Sequence, residues 1–269
     1  MTGHGETLEG KIREAARLLV EAEHAIALTG AGISTPSGIP DFRGPQGLWR
    51  RISPRVFHID YFRENPEESW KVFLELYESM KHVRPNPAHH ALAELERHGI
   101  IKAVITQNID GLHQAAGSKN VIELHGSLKH AVCLNCGHRI PLEEAVKMAK
   151  QSGAPRCPRC GGLLKPDVVF FGEKLPQEAV EEAIRQAAIS DLVLVVGSSL
   201  AVTPANQIPL IAKHHGAKII IVNLGETLLD HIADIKIEAP VEEALPQIAK
   251  RAITLLKTTR ENKTSNNLK

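Results

Sequence analysis

Aromatic residues are scarce in this chain: six Phe, two Tyr and two Trp among 269 residues. The 43% hydrophobic fraction therefore rests on Ala, Val, Ile and Leu, and the core it can build is aliphatic. Net charge is nearly absent too, since Lys+Arg 32 against Asp+Glu 31 leaves a formal +1. No overall basic field points to nucleic acid or an anionic membrane, so no direct partner of either kind is expected. No run approaches the ~18 apolar residues of a membrane span, and Met1 to Gly10 carries no apolar signal core. Intrinsic disorder, a collagen-like fibre and a disulfide-dense secreted module are excluded by the same composition. What remains is a chain about two domains long, if roughly 100–200 residues make one. Its expected location is the cytoplasm.

Cysteine is confined to Cys133, Cys136, Cys157 and Cys160, two Cys-x-x-Cys pairs with 20 residues between them. Two such turns can deliver four thiolates to one tetrahedral zinc, which leaves no position for water and makes the metal structural. Gly137 and Gly161 follow the second cysteine of each pair, where a metal knuckle often needs positive φ. A thioredoxin-like redox pair is the weaker reading, because two pairs are present rather than one.

Along the chain, short apolar runs alternate with helical patterns. Ala25 to Thr29, Lys102 to Ile109, Val121 to Leu124, Leu192 to Val196 and Lys218 to Val222 read as strands, with Ile235 to Ile237 as a short last one. Most are too continuous to alternate, which suits strands covered on both faces. Helical spacing marks Leu8 to Glu23, Pro87 to His98, Pro176 to Ala188, Pro204 to His215 and Val241 to Leu256. This rhythm predicts an α/β fold on a parallel sheet. Gly44 to Arg84, with a helix around Glu67 to Met80, and the cysteine-bearing His130 to Leu164 break it, and are read as insertions forming a smaller lobe. The tail, Thr258 to Lys269, is polar and expected to fray.

Polar residues gather where the strands end. Gly30-Ala-Gly-Ile-Ser-Thr-Pro-Ser-Gly38 follows the first strand but departs from the dinucleotide pattern G-x-G-x-x-G, and alone it supports a phosphate site no better than a plain connection. Gly197-Ser-Ser and Asn223-Leu-Gly-Glu end two further strands. Three polar turns at carboxyl ends of strands are where ligands bind in open α/β sheets. Gln107, Asn108 and Asp110 crowd the end of another strand, where capping and Asx-turn chemistry is the competing explanation. His125 ends a further strand; it is one of fourteen histidines and stands out through position alone.

Taken in order, these motifs resemble the sirtuin family of NAD-dependent protein lysine deacylases: Gly30 to Arg43, Thr106-Gln-Asn-Ile-Asp110, His125-Gly126, the cysteine quartet, Phe171-Gly-Glu173, Gly197-Ser-Ser199 and Val222-Asn223. The resemblance covers about residues 9 to 257. It implies a Rossmann-like NAD-binding lobe (1–43, 99–127 and 166–257), a cofactor loop and helical module (44–98), a zinc-binding module (128–165) and a polar tail (258–269). NAD and an acetyl-lysine protein or peptide would meet between the lobes, with NAD consumed and one zinc structural. By resemblance, Ala31, Gly32 and Thr35 would face phosphates and ribose. Asp41, Phe42 and Arg43 would lie in the mobile loop, with Phe42 shielding the reacting sugar carbon. Gln107 would hydrogen-bond a ribose, and Asn108 and Asp110 would hold the nicotinamide carboxamide with Ile39 and Ile109 packed on it. Gly197, Ser198, Ser199, Asn223 and Leu224 would serve the adenosine end; Gly30, His125 and Val241 complete the cofactor-binding set.

The same resemblance makes His125 the general base, with Asn108 the second catalytic residue, and pairs Val168, Val169, Phe170, Phe171 and Gly172 with the substrate backbone by strand addition. A histidine near its ordinary pKa of about 6.5 suits that proton transfer near neutral pH. Family members preferring succinyl or malonyl groups carry Tyr-x-x-Arg where Phe73 and Leu76 fall here, so acidic acyl groups are expected to be disfavoured. The competing activities are ADP-ribosyl transfer or NAD hydrolysis in the same site. Hydride transfer, or a zinc-ribbon interaction module with a vestigial cleft, would belong to other classes.

Overall fold

The structure, a computed structural model, describes residues 7–42, 44 and 47–266; the expected loop residue Arg43 lies outside them. Its strands are β1 (Ala25–Thr29), β2 (Ile101–Thr106), β3 (Val121–Glu123), β4 (Gly126–Cys133), β5 (Arg139–Pro141), β6 (Leu164–Val168), β7 (Leu192–Val196), β8 (Lys218–Val222) and β9 (Ile235–Ile237). Its helices are α1 (Leu8–Glu21), α2 (Ile59–Glu64), α3 (Pro66–Met80), α4 (Pro87–Arg97), α5 (Leu112–Ala116), α6 (Leu142–Ser152), α7 (Gln177–Ile189), α8 (Gln207–His214) and α9 (Val241–Asn266). None of the helices among the described residues is long and apolar enough to cross a membrane.

Six strands form one parallel sheet in the order β3-β2-β1-β7-β8-β9. Successive residues of its apolar strands go to opposite sides. Ala25, Ala27, Leu194, Val196, Ile220 and Val222 enter a core with α1, α4 and α9, whereas Ile26, Leu28, Val193, Val195, Ile219 and Ile221 enter a core with α7 and α8. The period of two is present in each run but masked, because both faces are buried. The chain leaves β1 for β2 on one side and later returns to β7 on the other. The carboxyl ends of β1 and β7 therefore flank a topological switch point, the place where open α/β sheets bind ligands.

A second, three-stranded antiparallel sheet runs β5-β4-β6. It shares one core with α2, α3 and α6, built around Phe62, Trp70, Phe73, Ile140, Leu142, Leu164 and Phe170. The Trp70 indole N–H donates to the Leu164 carbonyl at 2.9 Å, which stitches the helical insertion to the cysteine-bearing one. By contrast α4, grouped by sequence with the helical module, buries Ala91, Leu92 and Leu95 in the core beneath the large sheet. Every Phe, Tyr and Trp lies between Phe42 and Phe171. The two cores of the large sheet contain none.

Two of the boundaries that differ from the sequence reading have a visible local cause. β2 stops at Thr106 rather than Ile109, because the Thr106 hydroxyl accepts the Asn108 N–H at 3.0 Å and turns the chain out of the sheet. The tail expected to fray from Thr258 instead continues α9 to Asn266, and the Thr258 and Thr259 hydroxyls donate back to the Thr254 and Leu255 carbonyls.

Candidate active site and metal centre

The β1 and β7 turns press directly on one another. The Gly32 N–H donates to the Gly197 carbonyl at 2.8 Å, and the Gly30 N–H to the Val196 carbonyl at 3.2 Å. A Cβ on Gly32 would stand 2.8 Å from the Gly197 carbonyl oxygen, and one on Gly197, whose φ is +59°, would stand 2.2 Å from the Ile33 nitrogen. Gly30 is closed in by Gly197 and Ser198. Loop-to-loop contact thus requires these glycines before any ligand is considered. After the turn the chain forms two short 3-10 turns, Ala31–Ile33 and Thr35–Ser37, instead of the long helix that G-x-G-x-x-G would open.

Asn108 is the hub of the crevice. Its side-chain amide donates to the Gly30 carbonyl (3.1 Å) and to Ser34 Oγ (3.0 Å), which spends both hydrogens and leaves Oδ1 as its unspent group. Ser34 Oγ donates to the Asp110 carboxylate at 2.7 Å, and the other Asp110 oxygen accepts the Leu112 N–H at 2.9 Å. Burial raises the Asp110 pKa, and these two hydrogen bonds oppose the rise. Behind Ser34 stands His89, with Nε2 at 3.4 Å from Oγ. His89 Nδ1 accepts the Asn86 N–H in the capping box that opens α4, so a helix cap also orients this ring. Deeper still, His113 Nε2 lies 2.9 Å from Thr29 Oγ1, which donates to Thr106 Oγ1 at 2.8 Å. Burial pushes His89 down to about 4 and His113 down to about 3, so both are neutral near pH 7. Ser34, His89 and His113 were not singled out by sequence; the Asn86–His89 capping spacing was the available signal for one of them.

Gln107 spans the switch point, donating from Nε2 to Ser198 Oγ at 3.0 Å. Its carbonyl receives Nδ1 of His125 at 2.9 Å. A carbonyl only accepts, so Nδ1 carries the hydrogen and Nε2 keeps its lone pair. Burial lowers the His125 pKa below the ordinary value, against the opposing Gln107 hydrogen bond. This corrects the unperturbed value expected from sequence.

At the far end, Asn223 is buried and donates to the Leu224 and Gly225 carbonyls at 2.9 and 3.2 Å, while Leu224 is 64% exposed. Ser199 is tied to the same end of the sheet, its carbonyl accepting the Leu228 N–H at 3.1 Å. Val241 is buried in the sheet core, which leaves its backbone at the start of α9 as the part able to meet a ligand. On the loop side, Ile39 donates its N–H to the Ser34 carbonyl, Asp41 accepts the Gly44 N–H, and Phe42 lies 5.2 Å from Trp49. Trp49 in turn meets Phe171 at 5.8 Å, so Phe42 belongs to an aromatic row rather than standing alone.

The segment expected to pair with substrate is largely occupied. β6 ends at Val168; the Val169 N–H goes to the His125 carbonyl, and Phe171 exchanges bonds with Phe57 and Ile59. The Phe170 N–H goes to Glu173, and the Val168 carbonyl takes Lys165 Nζ at 2.6 Å. Among the described residues, the Val169 carbonyl and both backbone groups of Gly172 keep no such partner. Lys165, 3% exposed, also reaches Glu173 at 3.0 Å and covers the Phe170 ring at 4.5 Å. This buried cation, missed by sequence, braces the whole segment from behind.

In the small lobe, the four cysteine sulfurs lie within 4.8 Å of one another. Cys133–Cys160, Cys136–Cys157 and Cys136–Cys160 are separated by 3.5, 3.8 and 3.4 Å. Tetrahedral Zn–S bonds of about 2.3 Å require sulfurs roughly 3.8 Å apart, so the donor set fits zinc. Gly137 and Gly161 have φ of +69° and +72°, as the knuckle geometry anticipates. Asn135 directs its backbone N–H at Cys133 Sγ and its side-chain amide at Cys160 Sγ, an outer shell suited to thiolates.

The Sir2 family model matches residues 30–204. The chain is 57% identical over 241 residues to NAD-dependent protein deacetylase 1 of Pyrobaculum aerophilum, spanning 90% of this chain and 94% of that protein. It is 49% identical over 233 residues to the NAD-dependent protein deacetylase of Thermotoga maritima, spanning 87% and 95%. A solved structure of Sir2 with a p53 peptide and NAD+ matches with a TM-score of 0.84 at 47% identity, covering 89% of this chain and 97% of that one. The chain belongs to the Sir2 family.

Proposed function

We propose that the protein is an NAD-dependent protein lysine deacetylase that moves the acetyl group of an acetyl-lysine onto ADP-ribose and releases nicotinamide. The observation that carries this reading is His125: Nδ1 is tied to the Gln107 carbonyl and Nε2 is left open, beside the Asn108–Ser34–Asp110 cluster at the switch point. The names of the relatives support it, since both proteins compared above are NAD-dependent protein deacetylases.

When bound, NAD supplies a glycosidic bond whose cleavage frees nicotinamide and makes the ribose carbon electrophilic. Gly30, Ala31, Gly32 and Thr35 would hold the phosphates and ribose, with Gly197, Ser198, Ser199, Asn223 and Leu224 around adenosine. Asn108 would present its unspent Oδ1 to the carboxamide N–H groups, and Asp110 would assist, with Ile39 and Ile109 packed against the ring. His125 Nε2 would take a proton from a ribose hydroxyl, helped by a burial that keeps the imidazole neutral. Phe42 would exclude water from the sugar face. The Val169 carbonyl and Gly172 would hold the substrate's extended backbone. Zinc would hold the small lobe together and take no part in the transfer. Phe73 and Leu76, which align with the family's acidic-acyl pair, carry no charge, so acetyl and other apolar acyl groups are preferred over succinyl or malonyl ones. Thiols kept reduced for zinc suit a cytoplasmic address.

The deciding experiment is mass spectrometry of the products formed from NAD and an acetyl-lysine peptide. Deacetylated peptide, nicotinamide and acetylated ADP-ribose in equal amounts are expected. Free ADP-ribose with intact acetyl peptide, or ADP-ribosylated peptide, would replace this reading with NAD hydrolysis or ADP-ribosyl transfer.

A further inference from the structure

Outside the crevice, a concavity of about 240 Å³ is lined by Pro54, Arg55, His58 and Phe171. It is anchored to the peptide-binding segment through the backbone. The Phe171 N–H donates to the Phe57 carbonyl at 2.8 Å, and the Phe171 carbonyl accepts the Ile59 N–H at 2.9 Å. Next to it lies Gly172, whose N–H and carbonyl have no hydrogen-bond partner among the described residues. The His58 ring covers Gly172 so closely that a Cβ there would stand 2.9 Å from Cε1 and 3.0 Å from Nε2. A peptide bonded to Gly172 would therefore lie beside His58 and Phe171, two residues that line this concavity.

The chemistry of the lining is cationic with apolar walls. His58 Nδ1 accepts the Asp60 N–H at 3.3 Å, so the neutral ring carries its hydrogen on Nε2, the side facing Gly172. The Arg55 guanidinium is held over the Tyr61 ring at 4.8 Å, and no carboxylate pairs with it among the described residues. The nearby acids have other partners: Asp60 lies 3.7 Å from His58 Nδ1 and 3.8 Å from Arg63, and Glu68 accepts the Tyr61 hydroxyl. Phe171, 44% exposed, and Pro54 offer surface for methylene groups.

We propose that this concavity is a specificity subsite that takes an acidic side chain, Asp or Glu, flanking the acetyl-lysine of the substrate. The inference rests on the deacetylase reading and deepens it. Arg55 supplies the forked donors that match a carboxylate, and His58 Nε2–H supplies a third. Exposed ion pairs of this kind discriminate by up to about fivefold, and salt screens them.

The test uses the full-length protein, saturating NAD and acetyl-lysine peptides that differ only by Glu, Gln or Lys walked through the flanking positions. At one position Glu is expected to exceed Lys in kcat/KM by about fivefold at low salt, and the ratio should shrink at high salt. Arg55→Glu should invert the order at that position. The ratio is taken within each variant, so any general loss of activity cancels. A Glu-to-Lys ratio unchanged by Arg55→Glu, or no discriminating position at all, overturns the subsite while leaving the deacetylase reading intact. Failure of every peptide to yield acetylated ADP-ribose overturns both.

Discussion

His125 donates Nδ1–H to the backbone carbonyl of Gln107 across 2.9 Å. The bond joins the ring to the residue that also bridges to Ser198, so His125 is anchored to the switch point. His125→Ala should lower turnover by at least 10²-fold, the low end for loss of a general base, while NAD binding measured by calorimetry persists. Because burial lowers its pKa, the acid limb of kcat/KM should fall below pH 6.5. Near-normal turnover in the variant would remove His125 from its role.

Ser34 satisfies Asn108 and Asp110 at once, donating to one and accepting from the other. Ser34→Ala strips a hydrogen bond from the half-buried Asp110 carboxyl and from the buried Asn108 amide, each worth about 1–3 kcal/mol when left unmet. We expect kcat/KM for NAD to drop roughly 10- to 100-fold with zinc content unchanged. An unaltered NAD dependence would show that the cluster does not orient the cofactor's nicotinamide end.

Gly197 and Gly216 both have positive φ, but only Gly197 has neighbours in the way. Gly216→Ala should cost about the 1–2 kcal/mol of left-handed strain. Gly197→Ala should cost clearly more in denaturant unfolding, because its Cβ meets the Ile33 backbone. Equal losses would mean that the two turns can part without penalty.

Metal analysis should find one zinc per chain, and a strong chelator should act through structure. Amides of β4, β5 and β6 should lose hydrogen-exchange protection before those of β1 and β7, since the sulfurs tie only the small sheet. Uniform loss across both sheets would contradict a role confined to the small lobe.

His89 and His113 make a specific demand on acid stability. Their folded values, about 4 and about 3, lie below the unfolded 6.5, so the unfolded chain binds protons that the folded chain refuses. Stability should therefore fall as pH drops from about 6.5 towards 4, by a few kcal/mol in total. Asp110, raised by burial above its ordinary 3.8, works in the opposite sense as pH falls towards 3.8 and so offsets part of this loss. Replacing His113 by Asn should flatten the melting-temperature profile between pH 6.5 and 4; an unchanged slope would refute this origin.

The large sheet was legible because its strands are unbroken aliphatic runs, and the cysteine spacing announced its own geometry. Asn108, Asp110 and His125 could be picked out as polar residues ending apolar strands. Ser34, His89 and His113 could not, because they act behind those residues and their importance lies in pairs distant in sequence, such as Ser34 with Asp110. Lys165 was invisible for a related reason: a lysine near a strand end reads as solvated, and only the fold encloses it between Val168, Phe170 and Glu173. Along Val168 to Gly172, intramolecular bonds consume most of the backbone groups, which no local pattern in the sequence announces.

Because neither core of the large sheet contains Phe, Tyr or Trp, that sheet has no near-ultraviolet chromophore of its own. Trp49 sits in the cleft against Phe42 and Phe171, and Trp70 is sealed in the small lobe with its N–H on the Leu164 carbonyl. Intrinsic fluorescence and near-ultraviolet dichroism therefore describe the cleft and the small lobe alone. An unfolding curve recorded by tryptophan emission says nothing direct about the parallel sheet, whose melting must be followed through its peptide backbone.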